Sequence, residues 1–152
     1  MKRRSTRVSG RQRISSGAPW EASVGYSRAV RVGDRVFVAG TVAPEAARKL
    51  RGAGAGYRQA RAALGIIESA LKEAGASFDD VVRTRMFVTD LRRWEEFGRA
   101  HHEAFHRARP AATMVQVARF VPKDALVEIE VDAVRTSRGT PRRARRPRGR
   151  GP

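Results

Sequence analysis

The chain has 152 residues, no cysteine and a formal net charge of +17. That length suits one domain with a modest core, and the lack of cysteine excludes a disulfide framework, a thiolate nucleophile and a zinc–thiolate site. No apolar run approaches the roughly 18–20 residues of a membrane-crossing helix, and the basic start MKRRSTRVSGRQR is followed by no apolar segment that would make it a secretory signal. The expectation is a soluble, cytoplasmic protein with no membrane partner.

The charge is unevenly placed. Residues 1–13 carry six Lys/Arg and residues 136–152 carry seven, with no acid in either stretch, so residues 14–135 have a net charge of only +4. The basicity belongs to two ends, read as a disordered basic tail over 1–13 and an Arg-rich disordered tail over 136–152, around one domain at 14–135. The C-terminal end has no hydrophobic side chain larger than alanine and cannot offset its chain entropy by burial. Such tails can contact nucleic acid non-specifically and with strong salt dependence, or simply remain solvated.

Within 14–135 the first clear element is AVRVGDRVFVAGTV, residues 29–42. Gly33-Asp34 between two β-branched runs predicts a hairpin. Val36 and Val38 share one face and Phe37 takes the other, while Gly40 marks a bulge or a close backbone approach. Residues 43–56 read as an irregular loop, with GAGAG at 52–56 a flexible segment rather than a nucleotide fingerprint. From Tyr57 to Ala74, apolar residues recur at three- and four-residue steps, predicting an amphipathic helix ended by Gly75. A strand follows, with Val82, Thr84, Met86 and Val88 on one face and Val81, Arg83, Arg85 and Phe87 on the other. Asp90 can cap a second helix whose apolar stripe is Trp94, Phe97, His101, Ala104, Phe105 and Ala108, closed by Pro110. Two strands finish the domain, at about 112–120 and 125–134.

The order β-β-α-β-α-β-β is an α+β arrangement: a mixed sheet with two helices on one face. Val127, Ile129, Val131 and Ala133 are expected on the face the helices leave open. Burying that face between subunits would make the protein a homo-oligomer.

Three segments resemble the YjgF/RidA family, also known as endoribonuclease L-PSP: GYSRAVRVGDRVFVAGTVAP, GYRQARAALGIIESALKEAGASFDDVVRTRMFVTDLRRWEEF and RPAATMVQVARFVPKDALVEIEVDAV. They cover nearly all of 20–135 in order. The resemblance implies a chorismate-mutase-like homotrimer with small-molecule ligands in clefts between subunits. It also implies enamine or imine hydrolysis to 2-keto acids and ammonia, with no cofactor and no metal.

An imino acid carries a carboxylate, which calls for a cation, best a bidentate arginine. The resemblance puts that arginine after the Pro-Ala of a P-A-R-S segment, a slot that here holds Ala112. The neighbouring hydroxyl slot is Thr113, a candidate catalytic residue. The water-orienting glutamate of the deaminases matches Glu128, and a ligand-contacting tyrosine in a G-P-Y-[SV]-[QR] segment matches Tyr26. Arg99, aligned with a polar asparagine of some deaminases, could bring the charge from another direction. Glu128 and Glu130 also fit the ordinary pattern of a strand with one wet face. His102 and His106 have an i, i+4 spacing that can hold a metal, but no third ligand is evident. His101 reads as a packed, hydrogen-bonded histidine.

These features leave three functions open: an imine or enamine hydrolase poor with 2-iminobutanoate and 2-iminopropanoate, a non-catalytic trimeric ligand-binding protein, or RNA binding through the tails.

Overall fold

The computed structural model of the chain describes residues 6–8 and 10–136; the readings of disorder and nucleic-acid contact for the terminal tails otherwise lie outside the described residues. A seven-stranded sheet is made by β1 (Thr6–Val8), β2 (Arg11–Ile14), β3 (Ala29–Val32), β4 (Arg35–Thr41), β5 (Val81–Val88), β6 (Ala111–Gln116) and β7 (Val127–Val134). Its spatial order is β1-β2-β3-β4-β7-β5-β6. Neighbours pair antiparallel except β5 with β6, which run parallel after a helical crossover. Helices α1 (Pro19–Val24), α2 (Pro44–Lys49), α3 (Ala55–Glu73) and α4 (Trp94–Phe105) complete the fold. No helix among the described residues is long and apolar enough to cross a membrane.

The α+β class and the two long helices agree with the sequence. α3 buries Ala60, Ala63, Leu64, Ile67, Ala70 and Leu71. It ends with Ala76 N–H donating to Leu71 O at 2.8 Å and Gly75 N–H to Lys72 O at 3.0 Å. This is a Schellman cap, with Gly75 at φ 75°. The β3–β4 hairpin turns at Gly33, whose φ is 58°, and pairs Val32 with Arg35.

Six expectations change. First, the domain begins before residue 14: β2 pairs with β3 from Arg11 onward. Its basic side chains are exposed while Ile14 is buried, so backbone pairing rather than an apolar pattern holds it. Second, the segment 43–56 is not one loop. Pro44 starts α2 at a position where its missing N–H costs nothing, and α3 already begins at Ala55. Gly56 serves close packing: a Cβ there would lie 2.8 Å from Phe97 Cε1.

Third, β5 carries a bulge between Val81 and Arg83, so Val81 turns to the core and Val82 is exposed, whereas strict alternation put them the other way round. Fourth, Trp94 lies outside the core stripe, and Asp90 caps the 3-10 turn at Leu91–Arg93 that precedes α4. Fifth, Val127, Ile129, Val131 and Ala133 face the helices and are buried with α3 and Phe97. The face left open carries Glu128, Glu130 and Asp132 of β7 beside Arg85 of β5 and Phe37 of β4. An uncovered apolar set on β7 is therefore not a reason for oligomerisation.

Sixth, β6 ends at Gln116, short of residue 120, and is an edge strand whose residues are exposed apart from half-buried Met114.

Candidate functional site

β4 and β7 build the site. Their antiparallel register shifts between Val38 and Thr41, and Gly40 lies in that break. A Cβ on Gly40 would fall 2.5 Å from Glu128 Oε1 and 3.0 Å from its Cδ. The glycine thus lets the Glu128 side chain lie against the backbone of β4, the close approach its position suggested.

Beyond the break, Glu128 reaches a cavity of about 1300 Å³ bounded by α1 and the segments flanking it, α2, α3 and the loop around Val121–Asp124. Tyr26, Arg28 and Gly40 line the same space, and Trp20, Val24, Ile66 and Val121 give it apolar walls. Burial pushes the Glu128 carboxyl above its ordinary value; the Arg28 charge opposes this and Glu130 adds to it.

Arg28 is buried, at 8% exposure. Its Nη1 donates to Gly40 O at 2.9 Å and to Thr41 Oγ1 at 2.8 Å. The Thr41 hydroxyl in turn donates to Ala39 O at 2.7 Å. The guanidinium carbon lies 5.7 Å from the centre of the Tyr26 ring, and Nε is enclosed with no hydrogen-bond partner.

Glu21 supports this wall from α1. It accepts from Ser16 N–H at 2.9 Å, from Ser16 Oγ at 2.6 Å and from Ser15 Oγ. Burial raises its carboxyl, but these hydrogen bonds and Arg28 outweigh it and hold Glu21 below the ordinary value. The Glu21 oxygens are thereby committed to the 15–16 turn. What faces the cavity is a carboxyl able to exchange protons and a fixed cation beside it.

The structure brings two of the sequence-predicted residues together: Glu128 and Tyr26. Thr113 is on the open face of β6, paired with Arg85 and two strands from Glu130. Ala112 pairs with Thr84, whose side chain is in the core, so it faces the opposite side of the sheet from Thr113. Neither lines the cavity within one chain. Arg99 lies on the outer surface of α4, where its Nε donates to Glu103 at 3.2 Å and its guanidinium stacks 4.4 Å from the Tyr57 ring.

Arg28 is the cavity-lining charge that the sequence pattern did not single out. Its one signal was its place two residues after Tyr26, at the Gln/Arg slot of that segment. His101 is packed against Phe105 and its Nε2 is 2.8 Å from Thr84 Oγ1; burial lowers its pKa. His102 and His106 are neighbours with ring centres 5.8 Å apart, and among the described residues no group of three metal-ligating side chains occurs.

Residues 16–135 match the family model for endoribonuclease L-PSP. An uncharacterized protein of Streptomyces coelicolor is 42% identical over 124 residues, covering 82% of this chain and 92% of that one. A 2-iminobutanoate/2-iminopropanoate deaminase of Capra hircus is 32% identical over 124 residues, covering 81% and 90%. A crystal structure from Mycobacterium tuberculosis, of a member of the YjgF/YER057c/UK114 family, superposes with a TM-score of 0.73 at 47% identity, covering 82% of this chain and 98% of that one.

Proposed function

The chain belongs to the endoribonuclease L-PSP family, the YjgF/RidA group, and from that premise we propose that it hydrolyses the C=N bond of an imine, or of the enamine that tautomerises to it, in the Glu128 cavity. The observation that carries the reading is the half-buried Glu128 carboxyl beside Arg28, seated against Gly40.

The chemistry needs one group that both takes and returns a proton. Water adds to the imine carbon as Glu128 accepts one of its protons. The π electrons move to nitrogen, to which Glu128 returns that proton, giving a carbinolamine and a free carboxylate again. Glu128 then takes the hydroxyl proton and passes it to the amine nitrogen as the C–N bond breaks, so that the nitrogen leaves as ammonia. The products are a carbonyl compound and ammonia. A carboxyl raised by burial suits both halves better than a fully solvated one. Tyr26 contacts the ligand from the cavity wall.

The proposal includes the homotrimer. The β6 edge offers unpaired backbone, and Phe37 and Val115 are exposed on the open face. A neighbouring subunit seated there would cover both and bring a β6 edge, with Thr113 and Ala112, toward a cleft. With alanine at 112, 2-iminobutanoate and 2-iminopropanoate are poor substrates.

The test is ammonia release from freshly generated 2-iminopropanoate, 2-iminobutanoate and imines with larger side chains. Acceleration is expected for at least one larger imine, with the two small ones slow and improved by Ala112→Arg. A chain that accelerates none of them, while it still binds metabolites saturably, would instead be the non-catalytic ligand-binding member.

A further inference from the structure

Arg28 is a buried cation without a full set of partners. Among the described residues it forms no ion pair within 4 Å, and both of its hydrogen bonds leave from Nη1. A buried guanidinium left in this state costs free energy that a paired one recovers. The nearby acids do not supply the pairing: the Glu21 oxygens are held by Ser15 and Ser16, and Glu128 lies against Gly40.

The fork is nevertheless rigid. Gly40 O and Thr41 Oγ1 fix Nη1, and Thr41 is itself fixed by Ala39 O. Holding one nitrogen orients the planar guanidinium and leaves Nη2 for an acceptor from outside the chain.

The cavity beside it is larger and more apolar than a three- or four-carbon acid requires. Its volume is about 1300 Å³, above the roughly 300–1,000 Å³ common for small-molecule sites. Trp20, Val24, Ile66 and Val121 line it.

We infer that Arg28 anchors the carboxylate of an amphipathic mono-anion whose aromatic or branched apolar body lies along Trp20, Val24, Ile66 and Val121. Arg28 then holds a carboxylate from β3's side of the cavity, at a place suited to a larger body and not to the three- and four-carbon imino acids that an arginine at 112 would hold. The inference rests on the reading of this cavity as the ligand site, but not on hydrolysis there.

The experiment is a calorimetric titration of the full-length protein with 3-phenylpropionate, its neutral analogue 3-phenylpropanamide, and propionate. The acid should bind about tenfold or more tightly than either of the others, because only it offers both a charge-assisted acceptor and an apolar body. Arg28→Gln should erase the preference for acid over amide, and Arg28→Lys should restore part of it. Equal affinity of acid and amide in the wild-type protein overturns the inference, as does failure of all three to bind at millimolar concentration. That comparison needs no variant to fold. Survival of the preference in a folded Arg28→Gln protein overturns it too. Acid-selective binding without imine hydrolysis leaves the anchor standing and removes the chemistry. Hydrolysis without acid selectivity does the reverse.

Discussion

Glu128 and Glu130 stand two residues apart on the same face of β7, and the two ends of that face are built in opposite ways. Glu130 accepts from Arg85 Nη1 at 2.6 Å, and Asp132 adds a second contact to Arg85 Nη2 at 3.5 Å. One guanidinium thus serves two partly solvated carboxylates in a static surface network. At the other end the β4 register slips around Gly40, Glu128 lies half-buried against that backbone, and the Arg28 charge beside it is already held by Gly40 and Thr41. One interruption in a β-ladder thus separates a surface charge cluster from the half-buried glutamate proposed to react. Period-2 alternation treats the two glutamates as equivalent; the bulge does not.

Filling the Gly40 gap should have the largest effect. In Gly40→Ala the new Cβ displaces the Glu128 carboxylate, and turnover should fall about a hundredfold, the cost of misplacing a reacting group by roughly 1 Å. Circular dichroism should show an unchanged fold. Loss of the fold instead would mean that Gly40 serves packing and not the site.

Breaking the other end should be milder. Arg85→Ala removes a half-exposed network and should cost about 1 kcal/mol or less by urea denaturation, with less loss in high salt and turnover changed by less than about twofold. A large catalytic effect would join the two ends into one site.

The sign of the pH dependence sharpens the contrast. Because burial raises the Glu128 pKa in the folded protein above the ordinary carboxyl value of 4.5, folding favours the protonated form. That contribution is fully present below the unfolded value and is lost as pH rises through the folded value. Glu128→Gln should therefore melt higher than wild type at neutral pH, with the difference shrinking as the pH falls toward 4.5. A lower melting temperature at neutral pH would show that the charged form is the stabilised one.

Arg99→Ala should do least. It removes an exposed i, i+4 pair with Glu103 and a stack on Tyr57, contacts that solvent screens, and should leave the melting temperature and ligand affinity nearly unchanged. A lost ligand would return Arg99 to the cleft.

The sequence made the long elements legible where the apolar period was strong. The stripe from Ala60 to Leu71, the Gly75 stop and the Gly33 turn each have a local cause. Glu128 was legible through the family resemblance, and Gly40 through the rarity of glycine inside a strand. The rest depends on pairing and packing that no local pattern encodes. Arg11–Ile14 has one apolar side chain and becomes a strand because the edge of β3 accepts it. The inversion of Val81 and Val82 comes from a bulge that a one-residue count cannot foresee. α2 had a starting proline, an early acid and two late bases, but six residues among alanines and glycines made too short a signal. Arg28 looked like one more arginine in an arginine-rich chain, and only its burial beneath Gly40 sets it apart.

The most direct test of Glu128 as the acid–base group is imine turnover by wild-type, Glu128→Gln and Glu130→Gln proteins, measured side by side on the imine that the wild-type protein hydrolyses fastest. Glu128→Gln should lose about 10²–10⁴-fold, the usual worth of a positioned acid–base group, while Glu130→Gln stays within a few-fold of wild type. Equal turnover in Glu128→Gln and wild type would contradict the assignment of Glu128, and with it the catalytic reading of the cavity.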